Sequence, residues 1–219
     1  MTTRALVVGA GGLGGPLALS LGAAGLDIRI VDPDVVEASN LHRQIQFSRI
    51  DVGAPKAVLL AAEVVARGGS AKGYRMRWTA EDADDLGGDC AVVVDGSDDP
   101  ETKFAVADWA VATATPYVIA AALRYGGNAM VGAPGSSCYR CLFEEPAAAA
   151  TCESAGVLGP VVGAIGGVAA ALALGLVNGD RSRAGSIFVF DDLRRSAEPR
   201  IVQFARRADC PACAKRKVA

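Results

Sequence analysis

The 219-residue chain has little of several things, and each shortage narrows what it can do. It contains one histidine, His42, so any Cys–His catalytic pair has to use that residue. It has no excess of positive charge. A formal net charge of -2 and a sequence pI near 5.5 give no long-range attraction to nucleic acid or anionic membrane, and neither is expected as a partner. There is no internal repeat and no long linker, and the length suits one α/β domain that folds on its own core. The start, Met1-Thr-Thr-Arg4, lacks a basic segment followed by a separate hydrophobic stretch and cleavage site. No secretory signal and a cytoplasmic location are therefore expected, and in that compartment six cysteines read as metal ligands or reactive thiols rather than disulfides.

Ala155 to Val177 has no charged residue and is long enough to cross a bilayer. It is built largely from Gly, Ala and Val, with Pro160 near its start, and it has neither an aromatic belt nor a flanking basic cluster. This predicts a close-packed buried helix whose small side chains let neighbouring backbones approach, and a candidate dimer surface, with no membrane span.

What is present begins with an apolar run, Ala5 to Val8, that ends in Gly9-Ala-Gly11-Gly12-Leu-Gly14 and leads into helical spacing over Pro16 to Ala24. A second apolar strand, Leu26 to Val31, ends at Asp32, about twenty residues beyond the glycines. Strand, glycine turn, helix and strand make a βαβ unit of dinucleotide-fold type. Glycines let backbone approach phosphates, the helix start offers free N–H groups, and Asp32 suits ribose hydroxyls. The same pattern serves a nicotinamide-dependent oxidoreductase and an adenylating enzyme.

Downstream, Ser39 to Ile50 is polar and irregular, and helical character returns over Ala54 to Arg67. Strands are predicted at Gly73 to Trp78, Cys90 to Val94, Tyr117 to Ala121, Asn128 to Gly132, Ser186 to Phe190 and Arg200 to Phe204, with a helix over Thr102 to Ala112. Arg43 and Lys56 follow Asp32 by eleven and twenty-four positions, and such cations suit a site that neutralises charge in phosphoryl or nucleotidyl transfer. Asp98 comes just beyond a buried strand. A carboxylate there suits magnesium, and a helix cap is the alternative. Asp95 reads as either a second polar site group or a turn residue, and Cys90 as a small core residue. Cys138/Cys141 and Cys210/Cys213 form two Cys-x-x-Cys pairs, enough for a closed structural Zn2+ site.

Taken in order, Gly9-Ala-Gly-Gly-Leu-Gly14, Asp32-Pro-Asp34, Asn40-Leu-His-Arg-Gln44, Gly53-Ala-Pro-Lys56, Asp95-Gly-Ser-Asp98, Cys138-Tyr-Arg-Cys141, Gly156-Val-Leu-Gly-Pro160 and Cys210-Pro-Ala-Cys213 resemble the MoeB/ThiF/HesA family of ubiquitin-activating-enzyme-like adenylyltransferases. The resemblance implies an open, mostly parallel Rossmann-like sheet with helices on both faces, extended by antiparallel strands. It implies one adenylation domain over 1–219, with a nucleotide-binding part at 1–135 and a zinc, loop and dimer-interface part at 136–219. It also implies ATP-dependent adenylation of the carboxy-terminal Gly-Gly of a ubiquitin-like sulfur carrier, as a homodimer using ATP, Mg2+ and Zn2+, for sulfur transfer in cofactor or metabolite biosynthesis. Gly9, Gly11, Gly12, Gly14, Asp32, Asp34, Asn40, Arg43, Gln44, Lys56 and Asp98 would hold the nucleotide and its metal, with Arg43, Lys56 and Asp98 assisting the reaction. Cys152 falls where some members carry a reactive thiol, and an unreactive loop cysteine is the other reading. His42 reads as part of the nucleotide-side loop, with a catalytic base as its alternative.

Three departures stand against the family pattern. Arg4 lies too near the first strand to match an arginine that family members carry on an amino-terminal helix and reach across the dimer. Asp99 replaces the usual Asn, adding negative charge near the phosphates, and Lys103 replaces the usual Arg. These departures keep a second expectation open, a nucleotide-binding scaffold or sensor that holds a ubiquitin-like partner without turnover.

Overall fold

The computed structural model describes residues 2–146 and 155–214. Its centre is an eight-stranded sheet with the order β3-β2-β1-β4-β5-β6-β7-β8. Strands β1 (Arg4–Val8), β2 (Asp27–Val31), β3 (Ser70–Tyr74), β4 (Val92–Asp95) and β5 (Tyr117–Leu123) pair in parallel. β6 (Gly126–Gly132), β7 (Ser186–Phe190) and β8 (Arg200–Gln203) add antiparallel. β1 and β4 are continuous apolar runs because both faces of a parallel sheet are covered. α1 (Gly14–Ala23), α2 (Lys56–Ala66) and the long α6 (Gly159–Val177) share a core with one face. α3 (Ala83–Gly87) and α4 (Pro100–Thr113) cover the other, with Trp78 edge-on to Trp109 at 5.6 Å. The expected architecture, helices on both faces included, is the one observed.

The uncharged segment becomes α6, which is long and apolar enough by composition to cross a membrane, but it packs on α1, β4, β5 and β6. Val161, Val162, Ile165, Ala169, Ala170, Ala173 and Leu176 are buried along one stripe. Each large member contributes about 1.5–3 kcal/mol relative to exposure, as an upper estimate. The helix starts at Gly159 rather than Ala155, because Gly156 is left-handed (φ 73°) and Val157 makes an isolated bridge with Arg124.

Strand β3 also differs from expectation, running over Ser70–Tyr74 and not Gly73 to Trp78. Two facts fix the earlier register. Gly73 sits mid-strand against α2, where a Cβ would fall 2.1 Å from the Ala57 carbonyl oxygen, and Trp78 is withdrawn into the opposite core. The acidic stretch after Trp78 folds as α3, and the segment after Cys138 makes a short α5 (Tyr139–Leu142); local periodicity marks neither. Cys90 precedes β4 rather than starting it, yet it is buried as expected, and burial pushes its thiol up to about 12.

Candidate functional site

The carboxyl ends of β1, β2 and β4 converge where strand order reverses about β1, the place open α/β sheets bind ligands. The glycine turn after β1 is shaped by contact. Gly9 has φ 94°, and a Cβ on Gly14 would lie 1.8 Å from the Gly9 carbonyl oxygen. A Cβ on Gly9 would meet Ser97 N at 2.8 Å, so the turn leading to Asp98 abuts the glycine turn directly.

Asp32 is buried, and its two carboxylate oxygens accept from the Ala10 N–H (2.7 Å) and the Asp34 N–H (2.8 Å). Burial raises its carboxyl above the usual range, opposed by those two N–H donors. Each oxygen keeps a lone pair for a ribose hydroxyl. Lys56 is buried too, its ammonium 3.1 Å from the exposed Asp34 carboxylate. Asp34 thus holds the lysine at the site as a surface counter-ion that a more highly charged ligand can displace. Arg43 is half-buried and has no carboxylate partner among the described residues. His42 lies beside it: Nδ1 bonds the Ser39 carbonyl (2.9 Å), and Nε2 sits 3.5 Å from the Arg43 guanidinium. Through these two contacts the ring links the Ser39 backbone to the Arg43 guanidinium within the same loop. Asn40 anchors the same loop, its amide on Glu37 (3.1 Å) and its carbonyl accepting from the Arg43 and Gln44 N–H groups. Gln44 is buried, and its Oε1 has no partner among the described residues.

Asp98 is exposed at the tip of the turn and makes no side-chain hydrogen bond among the described residues. The helix cap expected as its alternative belongs instead to Asp99. That carboxylate accepts from the Thr102 N–H (3.1 Å) and Oγ1 (2.6 Å), with Pro100 as the first helical residue. Partial burial opposes ionisation of Asp99, but the two Thr102 donors outweigh it and hold the carboxyl below its usual range. The charge that departs from the family pattern is thereby turned onto the helix. Asp99→Ala is expected to cost about 1 kcal/mol and Asp99→Asn only a few tenths, measured by urea unfolding; equal losses would remove the cap assignment.

Asp95 is a structural group, not a site group. It is fully buried and takes the Lys103 ammonium at 2.7 Å and the Ser97 hydroxyl at 2.7 Å. Lys103 spends its other two protons on the carbonyls of Ser97 (2.6 Å) and Ala120 (2.7 Å), tying β4, the Asp98 turn and β5 together. Sequence reasoning noted Lys103 only as a departure; its four-residue spacing from Asp99, one helical turn, places it under the turn that carries Asp98.

The sulfurs of Cys138, Cys141, Cys210 and Cys213 all lie within 4.8 Å of one another. The separations of 3.8 Å (138–141), 3.5 Å (138–210) and 3.4 Å (141–213) are far beyond a disulfide bond. They match the roughly 3.8 Å edge of a tetrahedron with about 2.3 Å zinc–sulfur bonds, so the four fit Zn2+. Burial opposes the Cys210 thiolate, but the N–H groups of Cys213 and Ala212 outweigh it and hold the thiol down to about 7. The cluster is braced on α4 by a two-pronged Arg140–Asp108 pair and on β5 by Tyr117, whose hydroxyl accepts the Tyr139 N–H (2.9 Å). Cys152 lies outside the described residues.

Residues 1–212 match the model of the ThiF family. The sulfur carrier protein ThiS adenylyltransferase of Escherichia coli is 34% identical over 97% of this chain and 86% of its own length. The sulfur carrier protein adenylyltransferase of Thermus thermophilus is 36% identical over 95% and 81%. The adenylyltransferase and sulfurtransferase MOCS3 of Sus scrofa is 41% identical over 98% of this chain, which spans 49% of that relative, about half its length. The solved structure of E. coli MccB with ATP has the same fold, with a TM-score of 0.82 at 19% identity over 97% of this chain and 67% of that one.

Proposed function

Because this chain belongs to the ThiF family, we propose that it adenylates the carboxy-terminal Gly-Gly of a ubiquitin-like sulfur-carrier protein of the MoaD/ThiS type, using ATP and releasing pyrophosphate for sulfur transfer. The observation that carries this reading is an oriented Asp32 beside the glycine turn, acted on by Lys56, with the Arg43 backbone against Gly12 and the turn to Asp98 against Gly9; among the described residues Arg43 has no carboxylate partner and Asp98 no side-chain hydrogen bond. A nicotinamide dinucleotide needs no metal and carries only two phosphate charges, whereas a metal-bound triphosphate uses both cations and the outward carboxylate.

In the proposed reaction a terminal carboxylate oxygen of the carrier attacks the α-phosphorus. The bond from that phosphorus to the bridging oxygen breaks, and pyrophosphate leaves with the electron pair. The nucleophile arrives ionised, so no side chain has to remove a proton. Asp32 orients the ribose, while Lys56 and Arg43 neutralise charge gathering on the phosphate oxygens. Asp98 is a hard oxygen ligand suited to Mg2+, which when bound would neutralise further phosphate charge. Cys152 is the proposed thiol for the next step, in which its sulfur attacks the acyl carbon and AMP departs. The outer side of α6 carries Gly163, Ala164, Gly167, Ala171 and Gly175, and a Cβ on Gly163 or Gly167 would meet nothing within 4 Å. That side supports a homodimer packed closely through this helix.

ATP–pyrophosphate exchange with a panel of Gly-Gly-ending carriers tests the reading. Carrier-dependent exchange is expected, and Arg43→Ala should reduce it by about 10²-fold, the scale for one charge-stabilising donor. Full exchange in Arg43→Ala would remove the role given to that cation, and no exchange with any carrier in a protein that binds ATP would leave a nucleotide-binding scaffold.

A further inference from the structure

The sequence motifs pass over Gln46, yet its side chain bonds the glycine turn twice. Its Nε2 donates to both the Ala10 and the Gly11 carbonyl oxygens, each at 3.0 Å. Its carboxamide lies against the bare Cα of Gly15, where a Cβ would fall 2.4 Å from the amide carbon. A trans peptide is planar, so a carbonyl and the N–H of the next residue point in opposite directions. With the carbonyls of residues 10 and 11 turned toward Gln46, the N–H groups of Gly11 and Gly12 point away from it.

Those two N–H groups have no acceptor among the described residues. The preceding N–H, on Ala10, is already taken by Asp32. Against that turn lies the Gln44 side chain, 4% exposed, with Nε2 as its atom nearest Gly11 and its Oε1 unpartnered among the described residues. Two free donors at the start of a ten-residue helix, with the buried and incompletely partnered Gln44 carboxamide turning its Nε2 toward Gly11, mark a place that a polar ligand completes.

We infer that Gln46 is a positioning residue for nucleotide binding: by holding two carbonyls it turns the Gly11 and Gly12 N–H groups toward an anionic phosphate. It touches neither phosphate nor base itself. The inference rests on the nucleotide reading proposed above and adds that phosphate affinity, not affinity for the nucleoside, depends on this carboxamide. A glutamate at position 46 would set a carboxylate against the two carbonyl oxygens, whereas methionine keeps the length and removes only the donors.

Isothermal titration of ATP and, separately, of adenosine tests it. In Gln46→Met the Kd for ATP should rise about tenfold or more while that for adenosine stays within twofold; Gln46→Glu should show a larger loss for ATP. Gly15→Ala is a second route, since its methyl pushes away only the flexible end of Gln46 and alanine suits a helix. It should reproduce the ATP-selective loss even if Gln46→Met folds poorly. Unchanged ATP affinity in both Gln46→Met and Gly15→Ala, or equal losses for ATP and adenosine, overturns the assignment. Wild-type protein that binds neither ligand overturns the nucleotide reading itself, and the assignment with it.

Discussion

Removing zinc from the four-cysteine cluster with a strong chelator is expected to lower the melting temperature by roughly 10 °C. The four thiols come from two distant stretches, Cys138 and Cys141 at the start of and within α5 and Cys210 and Cys213 near the end of the described chain. Beyond β8, the segment leading to Cys210 is tied to the rest of the fold by polar contacts that include the Phe204 N–H on the Gly185 carbonyl (3.3 Å), the Ser137 hydroxyl on the Phe204 carbonyl (2.7 Å), the Arg207 N–H on the Cys141 sulfur (3.4 Å) and the Arg207–Glu144 ion pair. Structural zinc sites in small peptides supply about 10–16 kcal/mol of apparent folding energy. A domain with its own core needs only part of that, and about 3 kcal/mol in a chain of this size moves the melting temperature by roughly 6–12 °C. The check is calorimetry with and without chelator, together with colorimetric counting of the released metal. A preparation that contains no zinc and melts at the same temperature in chelator would end the metal assignment. Loss of exchange activity without a shift in melting would instead move the cluster from a structural role toward a chemical one.

Lys103→Met should be the most damaging single change beneath the proposed nucleotide site. It strands Asp95, which is wholly buried and among the described residues pairs with no cation but Lys103, and breaking a buried pair from one side costs about 3–5 kcal/mol. The loss extends to the Ser97 and Ala120 carbonyls, which forfeit a donor. Pairing Lys103→Met with Asp95→Asn should recover a large share, because no charge is then left buried. Burial already raises the Asp95 carboxyl, with Lys103 as the main opposing influence. Without the lysine a folded-state value above the unfolded one means that stability declines as pH rises through the carboxylate range, so the single variant should be relatively firmer in acid. Urea unfolding at two pH values measures both statements. A loss below 1 kcal/mol, or no recovery in the double variant, would show that the pair is not the tie described.

Much of this protein is legible along the chain because the governing physics is local. The glycine turn, the strand ending at Asp32, the uncharged α6 segment and the Cys-x-x-Cys pairs are patterns of near neighbours, where backbone freedom, apolar period and ligand spacing act over a few residues. Expectations built on them hold: the strand before the glycines, helices on both faces, the burial of Cys90 and the meeting of four cysteines. The misplaced pieces are those decided by neighbours far away in sequence. β3 begins at Ser70 because α2 presses on Gly73 and because Trp109, thirty-one positions past Trp78, draws that tryptophan out of the strand.

At the site the same division separates residue type from residue role. The sequence by itself determined which side chains can hold a nucleotide, since a carboxylate, two cations and a run of glycines keep their chemistry wherever they are placed. Only the tertiary structure decided that Asp99 and not its neighbour Asp98 caps α4, that Asp95 is spent on Lys103, and that Gln46, outside every motif, joins Asp32 in gripping the glycine turn. Adjacent carboxylates are equivalent in composition, and backbone direction, which differs from one residue to the next, assigns one to the helix and leaves the other free at the crevice.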